Sequence, residues 1–298
     1  MRARVSSLGF RGIHQRLRSV VTAGAMAAGI VAALACAAAA QTFEEMPVLF
    51  DARERLVRPD VSGLLRLRFL TTTDFPPFNF IDQTGRLSGF HVDLARALCA
   101  ELVVEMKCQI QALPFDQLRS ALDEGQGEVV MAGVAVSPEL RENFLFTRPY
   151  MLLPARFVRH REVTLSSPDA SALFNRPVGV IGGTAHETML KAYFPNVTPV
   201  ILPDRAALLD AVRTKAVDAA FADGLQLSFW ASGPASEGCC ELLDGPYLSQ
   251  DYLGEGMMLM MRSGDTVLKQ ALNSALAAVS RDGRLQEIYL KYFPVSLY

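Results

Sequence analysis

The chain has 298 residues, and half of them are hydrophobic. It carries 29 Lys and Arg residues against 31 Asp and Glu residues. Five of the basic residues fall within the first 40 positions, so the remainder holds 24 basic and 31 acidic residues, a net charge near −7. This balance argues against nucleic acid or an anionic membrane surface as a partner. The roughly 258 residues after position 40 are enough to build two lobes, each with its own core.

The N-terminal segment predicts export. Residues 1–40 contain five Arg and no acidic residue, and an Ala-rich apolar run occupies residues 20–40. A positive start, an apolar run and small residues before Gln41 are typical of a secretory signal peptide. A membrane anchor is the alternative, but the run is only weakly hydrophobic for a bilayer span. Lipid anchoring through Cys36 is less favoured, because Ala33 stands where a large aliphatic residue is usual.

Four cysteines follow the predicted cleavage site: Cys99, Cys108, Cys239 and Cys240. In an oxidising compartment they can pair. A bridge between Cys99 and Cys108 would join the end of a predicted helix to the start of a strand. Adjacent Cys239 and Cys240 are expected to remain two thiols. The three His residues after position 40 lack ligand-like spacing, so we predict neither a metal site nor a cofactor.

Strand and helix patterns alternate along the chain, which predicts an α/β fold with mostly parallel sheets. Strands are predicted at 65–71, 108–113, 129–136, 178–181, 219–222 and 256–261. Helices are predicted at 89–104, 115–124, 187–193, 205–213, 265–280 and 283–292. The first of these helices has an apolar residue at every fourth position from Phe90 to Leu102.

The pattern restarts near residues 178 and 256, which predicts two lobes with a double chain crossover. Residues 60–155 plus 255–298 would form lobe 1, and residues 156–254 lobe 2. Open α/β sheets bind ligands beyond the carboxyl ends of their strands. A ligand is therefore expected in an interlobe cleft that closes by hinge bending.

Four segments, taken in order, point to one family. They are Phe75-Pro-Pro-Phe-Asn-Phe with Gly89-Phe-His-Val-Asp-Leu, the stretch 133–141 leading to 146–150, the stretch 178–184, and the stretch 217–223. Their order and spacing resemble the amino-acid family of periplasmic solute-binding proteins. The resemblance implies a type II periplasmic binding fold, a periplasmic location and a monomer. It further implies a small-molecule ligand, namely an amino acid or an analogue, and an ABC transporter permease as partner.

The resemblance also implies a set of ligand-binding residues. Phe75 and Phe115 match aromatic residues that sandwich the ligand, and Asp223 matches an acceptor for its α-ammonium group. Thr184 belongs to a turn before a helix, where backbone N–H groups can bind a carboxylate. Gly133 and Ala135 lie on a lobe 1 loop that faces the ligand. Core packing of the two Phe residues, helix capping by Thr184 and a solvated strand end at Asp223 are the structural alternatives.

The predicted carboxylate site departs from the family pattern. The family loop reads Ser/Thr-x-Thr-x-x-Arg, in which the Arg binds the ligand's α-carboxylate in a bidentate manner. Here Ala135 replaces the first hydroxyl and Leu140 stands at the Arg position. A Leu cannot supply the charge or the fork geometry of a guanidinium. Arg141 is therefore the hypothesised anion partner, with Arg148 and Arg156 as further candidates.

Two more positions differ from the family. Thr72 stands where an Asp is frequent, and His91 stands where an acidic residue is usual. The sequence therefore leaves the ligand open as an amino acid or a related small polar solute.

Two other functions remain as alternatives to the solute-binding component of an ABC importer. Cyclohexadienyl dehydratases resemble the same family, and Glu139, Glu187 or Asp223 would then have to serve as general acid. A ligand sensor that does not transport is the second alternative. No nucleophile triad, phosphate loop or metal set favours other catalysis, and no catalytic residue is predicted.

Overall fold

The computed structural model describes residues 46–51, 53–293 and 297. The predicted signal peptide, its cleavage site and Cys36 lie outside the described residues. Within the described part of the chain, no helix is both long and apolar enough to cross a bilayer.

Thirteen strands and nine α-helices are found among the described residues. The strands are β1 Leu67–Thr71, β2 Asp74–Phe75, β3 Asn79–Ile81, β4 Leu87–Ser88, β5 Cys108–Ala112, β6 Val129–Val130, β7 Phe144–Phe146, β8 Ala155–His160, β9 Pro177–Ile181, β10 Thr198–Leu202, β11 Ala219–Asp223, β12 Cys240–Tyr247 and β13 Met260–Arg262. The helices are α1 Phe90–Glu101, α2 Leu118–Asp123, α3 Pro138–Asn143, α4 Ala185–Tyr193, α5 Arg205–Arg213, α6 Gly224–Ser232, α7 Gln250–Leu253, α8 Thr266–Arg281 and α9 Arg284–Tyr292.

The first sheet has the strand order β5-β1-β6-β13-β7. Strand β1 runs parallel to β5 and β6, whereas β13 runs antiparallel to β6 and β7. Every residue of β1 is buried, as expected for a strand with both sheet faces covered. Successive side chains point to opposite faces, so Phe69 packs in one apolar cluster and Leu70 in another.

The second sheet has the strand order β10-β9-β11-β8-β12. Strand β9 runs parallel to β10 and β11, and β8 runs antiparallel to β11 and β12. Because β9, β10 and β11 share one direction, their carboxyl ends lie at the same edge of the sheet. The residues that follow these three strands are thereby gathered on one side of the second lobe.

The chain passes between the two sheets twice, after β7 and before β13. The two crossing segments pair with each other: the N–H of Met257 donates to the carbonyl of Met151 at 2.7 Å, and the N–H of Tyr150 donates to the carbonyl of Met257 at 2.9 Å. Gly256 adopts a φ of +98°, and a Cβ there would lie 2.6 Å from the Met151 carbonyl oxygen. Only glycine fits at this approach. The residue boundaries of the two lobes stay a prediction.

Some predicted elements are shorter than expected. The predicted strand 129–136 ends at Val130, and Gly133 then adopts a left-handed φ of +68° that interrupts an extended strand. The predicted helix 115–124 begins as a 3₁₀ turn over Phe115–Gln117 and becomes α-helical only at Leu118. The predicted strand 256–261 begins at Met260. In the two strands a loop replaces the predicted end, and in the helix a 3₁₀ turn does.

Both pairs of cysteines form disulfides. Cys99 and Cys108 are joined across 6.2 Å between Cα atoms, as the sequence allowed. Cys239 and Cys240 are also joined, so the expectation of two thiols was wrong. Their Cα atoms are 3.7 Å apart, the spacing of residues joined by a trans peptide.

Candidate functional site

A cavity of about 960 Å³ lies between β2 with its following turn and helices α5 and α6 of the second lobe. Its aromatic and charged lining residues are Asp74, Phe75, Arg205, Asp223, Phe229 and Trp230. A cleft of this kind, mostly apolar with a few placed polar groups, suits a small organic ligand. Of the residues predicted from the sequence, Phe75 and Asp223 line this cavity.

Phe75 is held in place from two sides. Its ring stacks on Phe78 with 4.8 Å between centroids. On the other side is the backbone of Gly133, where a Cβ would lie only 2.7 Å from Cε1 of Phe75 and 3.1 Å from Cε of Met257. The predicted Gly133 therefore contacts the predicted Phe75, and its lack of a side chain sets the position of the ring.

Asp223 ends β11 and caps helix α6, and its Oδ1 accepts a hydrogen bond of 2.9 Å from the N–H of Gln226. Burial raises the pKa of Asp223, and the opposing effects of the Gln226 N–H and of nearby His186 do not cancel this shift. The pKa of His186 is lowered, again mainly by burial. Asp223 is thus a desolvated carboxylate at the cavity wall, and an added cation would stabilise its charged form.

Thr184 caps helix α4. Its hydroxyl accepts a hydrogen bond from the N–H of Glu187 at 3.2 Å and donates one to the carbonyl of Ile181 at 2.7 Å. The neighbouring N–H of Gly183 donates to the carboxylate of Glu187 at 2.7 Å. The Gly183 N–H and the Thr184 hydroxyl of this turn therefore have partners within the chain.

Helix α3 and the loop before it carry three residues of the predicted carboxylate site. Leu140 packs against an apolar cluster of the first lobe, which suits a Leu rather than the Arg of the family. Arg141 forms an ion pair of 2.6 Å with Glu255 and lies over the ring of Phe146, 5.6 Å from its centroid. Ala135 is exposed on the same loop.

Phe115 lies on the 3₁₀ turn after β5 with 55% of its surface exposed. It is not among the residues that line the cavity. Its predicted contact with a ligand stays a prediction.

The two other arginine candidates lie elsewhere. Arg148 forms an ion pair with Glu54. Arg156 is buried on β8, and its Nε donates to the carbonyl of Asp244 at 3.3 Å.

The two departures Thr72 and His91 belong to one buried network. The side-chain amide of Asn79 donates to the hydroxyl of Thr72 at 3.0 Å, and its oxygen lies 2.5 Å from Nδ1 of His91. The other ring nitrogen, Nε2, lies 2.8 Å from the hydroxyl of Tyr150. This arrangement assigns the proton of a neutral His91 to Nδ1. Thr72 and His91 thus belong to a neutral hydrogen-bonded set with Asn79 and Tyr150.

The candidate general acids differ in their environments. Hydrogen bonds from its own N–H and from Ser137 lower the pKa of Glu139. Lys191 and the Gly183 N–H lower the pKa of Glu187. Both are therefore carboxylates at neutral pH and poor proton donors. Among the described residues, no three His, Cys, Asp or Glu are grouped so that they could hold a metal ion.

The sequence prediction missed several lining residues: Asp74, Arg205, Gln226, Phe229 and Trp230. Asp74 directly precedes the motif residue Phe75, and Arg205 comes three residues after the carboxyl end of β10. The position of Arg205 after a parallel strand is the one signal that could have identified it. Phe229 and Trp230 carry no such signal, because aromatic residues on a helix are usually core residues.

Comparisons with known proteins identify the family of this chain. Residues 67–295 match the bacterial extracellular solute-binding proteins, family 3. A protein of Escherichia coli K12 named as arginine-binding protein 2 of an ABC transporter is 34% identical over 236 residues, which cover 76% of this chain and 90% of that protein. The L-arginine-binding protein of Pseudomonas aeruginosa is 30% identical over 232 residues, which cover 75% of this chain and 86% of that protein.

A solved structure supports the fold. The L-cystine solute receptor of Neisseria gonorrhoeae, in its unliganded open conformation, aligns with a TM-score of 0.64 at 21% identity, covering 76% of this chain and 92% of that one. The two-lobed α/β fold predicted from the sequence is confirmed. With its strand order, its double crossing and a family match over residues 67–295, the chain belongs to the bacterial extracellular solute-binding proteins of family 3.

Proposed function

We propose that this protein is the extracytoplasmic solute-binding component of an ABC importer and that it captures a cationic amino acid. The carrying observation is the cavity wall, which holds the carboxylates of Asp74 and Asp223 and one guanidinium, that of Arg205. Burial raises the pKa of Asp223. An ammonium group placed beside it would form a charge-assisted hydrogen bond in a largely dry site. The names of the two arginine-binding relatives support the same class of ligand.

In this proposal the ligand's apolar part packs on Phe75, whose position Gly133 sets. Asp223 accepts hydrogen bonds from the α-ammonium group. Phe115 and Thr184 would reach the ligand only after the lobes close, and Ala135 would border it on the loop. Closure would bend the paired crossing segments at Met151 and Met257.

The transport assignment further implies a permease that recognises the closed, monomeric protein in the periplasm, to which residues 1–40 would direct it. The dehydratase alternative receives less support, because the two relatives of this chain are named as binding proteins. In addition, two of the three candidate general acids, Glu139 and Glu187, have lowered pKa values.

Isothermal titration calorimetry with L-arginine, L-lysine, L-ornithine and L-histidine tests the proposal, with L-glutamate and prephenate as contrasting compounds. We expect tight binding of at least one cationic amino acid, none of L-glutamate and no turnover of prephenate. A ligand at 100 times its Kd should raise the free energy of unfolding by about 2.7 kcal/mol. Absence of binding by every amino acid would refute the proposal.

Small-angle X-ray scattering tests the closure. The radius of gyration should fall when the ligand is added. An unchanged radius with a bound ligand would mean that binding does not close the lobes.

A further inference from the structure

Two of the groups predicted to bind a carboxylate, the Arg141 guanidinium and the Gly183 N–H, are engaged within the chain. Leu140 is part of an apolar cluster, and Arg141 is paired with Glu255 at 2.6 Å on an exposed surface. The N–H of Gly183 binds the carboxylate of Glu187 at 2.7 Å, in the place where a ligand carboxylate was expected. Leu140, Arg141 and Gly183 are not among the residues that line the cavity, so an amino acid bound at its wall needs another partner for its α-carboxylate.

Arg205 is a cationic side chain that lines the cavity. It opens helix α5, just beyond the carboxyl end of β10, and so lies at the same edge of the second sheet as the ends of β9 and β11. This edge is where open α/β sheets bind their ligands. Arg205 thus occupies a ligand-binding position by topology as well as by its place on the cavity wall.

Gln226 links Arg205 to Asp223. The Nη1 of Arg205 donates to the side-chain oxygen of Gln226 at 3.2 Å, and the backbone N–H of Gln226 donates to Oδ1 of Asp223 at 2.9 Å. One residue therefore orients both the guanidinium and the carboxylate. The bond to Gln226 uses one N–H of Arg205, and a guanidinium carries five. Enough donors remain for a bidentate contact with a carboxylate.

The charges on the cavity wall mirror those of a cationic amino acid. Asp74, Arg205 and Asp223 are two carboxylates and one guanidinium. L-arginine and L-lysine carry two cationic groups and one carboxylate at neutral pH. Pairing each group with its opposite leaves no charge in the cavity without a partner, which is the condition for binding charges away from water.

We propose that Arg205 binds the α-carboxylate of the ligand and takes the place of the arginine that Leu140 has replaced. Gln226 orients the guanidinium beside Asp223, so that the carboxylate and the ammonium of one amino acid are bound side by side. Asp74 faces the cationic side chain of the ligand. The inference rests on the proposed function, because it assumes an amino acid in this cavity.

The test compares L-arginine with agmatine, which has the same guanidinium and amine but lacks the carboxylate. Titration calorimetry on the wild-type protein and on Arg205→Gln, Arg205→Lys and Arg141→Gln measures both affinities. Arg213→Gln is the matched control, since Arg213 lies at the far end of the same helix and pairs with Asp210. Thermal melting of each variant verifies that it folds.

We expect the wild-type protein to prefer L-arginine over agmatine, and Arg213→Gln to keep this preference. Arg205→Gln should weaken L-arginine binding roughly 10- to 100-fold, the range of a lost charge-assisted contact, and should change agmatine binding little. The affinity of Arg205→Lys for L-arginine should lie between those of the wild-type protein and Arg205→Gln, because Lys keeps the charge but loses the bidentate geometry of the guanidinium. This variant also answers the question if Arg205→Gln does not fold.

Two outcomes would overturn the inference alone: an unchanged preference in Arg205→Gln, or a selective loss of L-arginine binding in Arg141→Gln instead. A wild-type protein that binds no amino acid would overturn the proposed function, and this inference with it.

Discussion

The hydroxyl of Tyr150 lies 2.8 Å from Nε2 of His91, and both side chains are almost fully buried. Since Nδ1 of His91 faces the Asn79 oxygen, Tyr150 is the donor in this hydrogen bond. The bond ties helix α1 to a chain segment that crosses between the lobes.

His91 gives the stability of the protein a pH dependence. Burial lowers the pKa of His91 from 6.5 to about 3. The native protein therefore keeps His91 neutral, while the unfolded chain binds a proton below about pH 6.5. The free energy of unfolding should fall as the pH drops from 6.5 toward 3, by about 1.4 kcal/mol per pH unit from this group. Urea denaturation at pH 7.5 and pH 5 measures the loss.

Carboxylates and His186 also titrate in this pH range and change the free energy of unfolding. The contribution of His91 to this pH dependence is therefore measured by comparing the wild-type protein with a variant that lacks His91. His91→Gln should be less stable at pH 7.5, since it disturbs a buried network, but should lose less stability than the wild-type protein between pH 7.5 and pH 5. Equal losses would contradict the role given to His91.

Asp223→Asn should lower the affinity for the ligand without lowering the free energy of unfolding. The pKa of Asp223 is raised, so its ionised form is disfavoured in the native state at neutral pH and costs stability there. Asn removes this charge and still caps helix α6. We expect an unchanged or higher free energy of unfolding at pH 7 and at least a tenfold loss of affinity for a cationic amino acid, as expected for a charged contact. Urea denaturation and calorimetry measure the two effects.

Asp218→Asn is the matched control, because Asp218 precedes the same strand at its other end and pairs with Arg176 at 2.7 Å. It should leave the affinity unchanged. If Asp223→Asn binds the ligand as tightly as the wild-type protein, Asp223 does not belong to the site.

Gly133→Ala should weaken ligand binding through Phe75. A methyl group at this position would lie 2.7 Å from the Phe75 ring, and the φ of +68° adds backbone strain. The strain alone costs about 1–2 kcal/mol. Displacement of the ring should lower the affinity as well, and calorimetry with urea denaturation separates the two.

Gly125→Ala provides the comparison. Gly125 has a φ of +70°, but a Cβ there meets no atom within 4 Å. The Gly125→Ala variant should lose free energy of unfolding through backbone strain but should keep the wild-type affinity for the ligand. Equal affinities in both variants would mean that the position of Phe75 does not matter for the ligand.

The two disulfides should contribute unequally to stability. Cys99 and Cys108 are nine residues apart, so their bond closes a loop in the unfolded chain. The loop entropy predicts about 2.5 kcal/mol for this bond. Cys239 and Cys240 are adjacent, and their bond restricts the unfolded chain less.

Replacing each pair by Ser and measuring urea denaturation under identical conditions tests this ranking. A larger loss from the Cys239/Cys240 pair would contradict the loop-entropy argument.

Local patterns determined some of the elements, whereas strands such as β8, β10 and β12 and helix α6 were not predicted. Helix α5 covers Arg205–Arg213 as predicted, because an apolar stripe and the N-cap residue Asp204 both favour a helix at this position. Asp223 was placed at the end of a buried strand for a similar reason, since an apolar run ended in a carboxylate. The family could also be recognised, because short motifs in a given order suffice for that.

Tertiary structure decided which residues form the site. Arg205 and Asp74 are 131 positions apart in the sequence, and they line one cavity only because the chain crosses between two sheets. The same holds for Arg141, whose partner Glu255 is 114 residues away. The hydrophobic periodicity of a sequence predicts which face of a helix or strand is buried. It does not predict which side chain from a distant part of the chain contacts that face. Burial also shifted the pKa values of His91 and Asp223, since a pKa depends on the solvent and the groups around a side chain rather than on its neighbours in the chain.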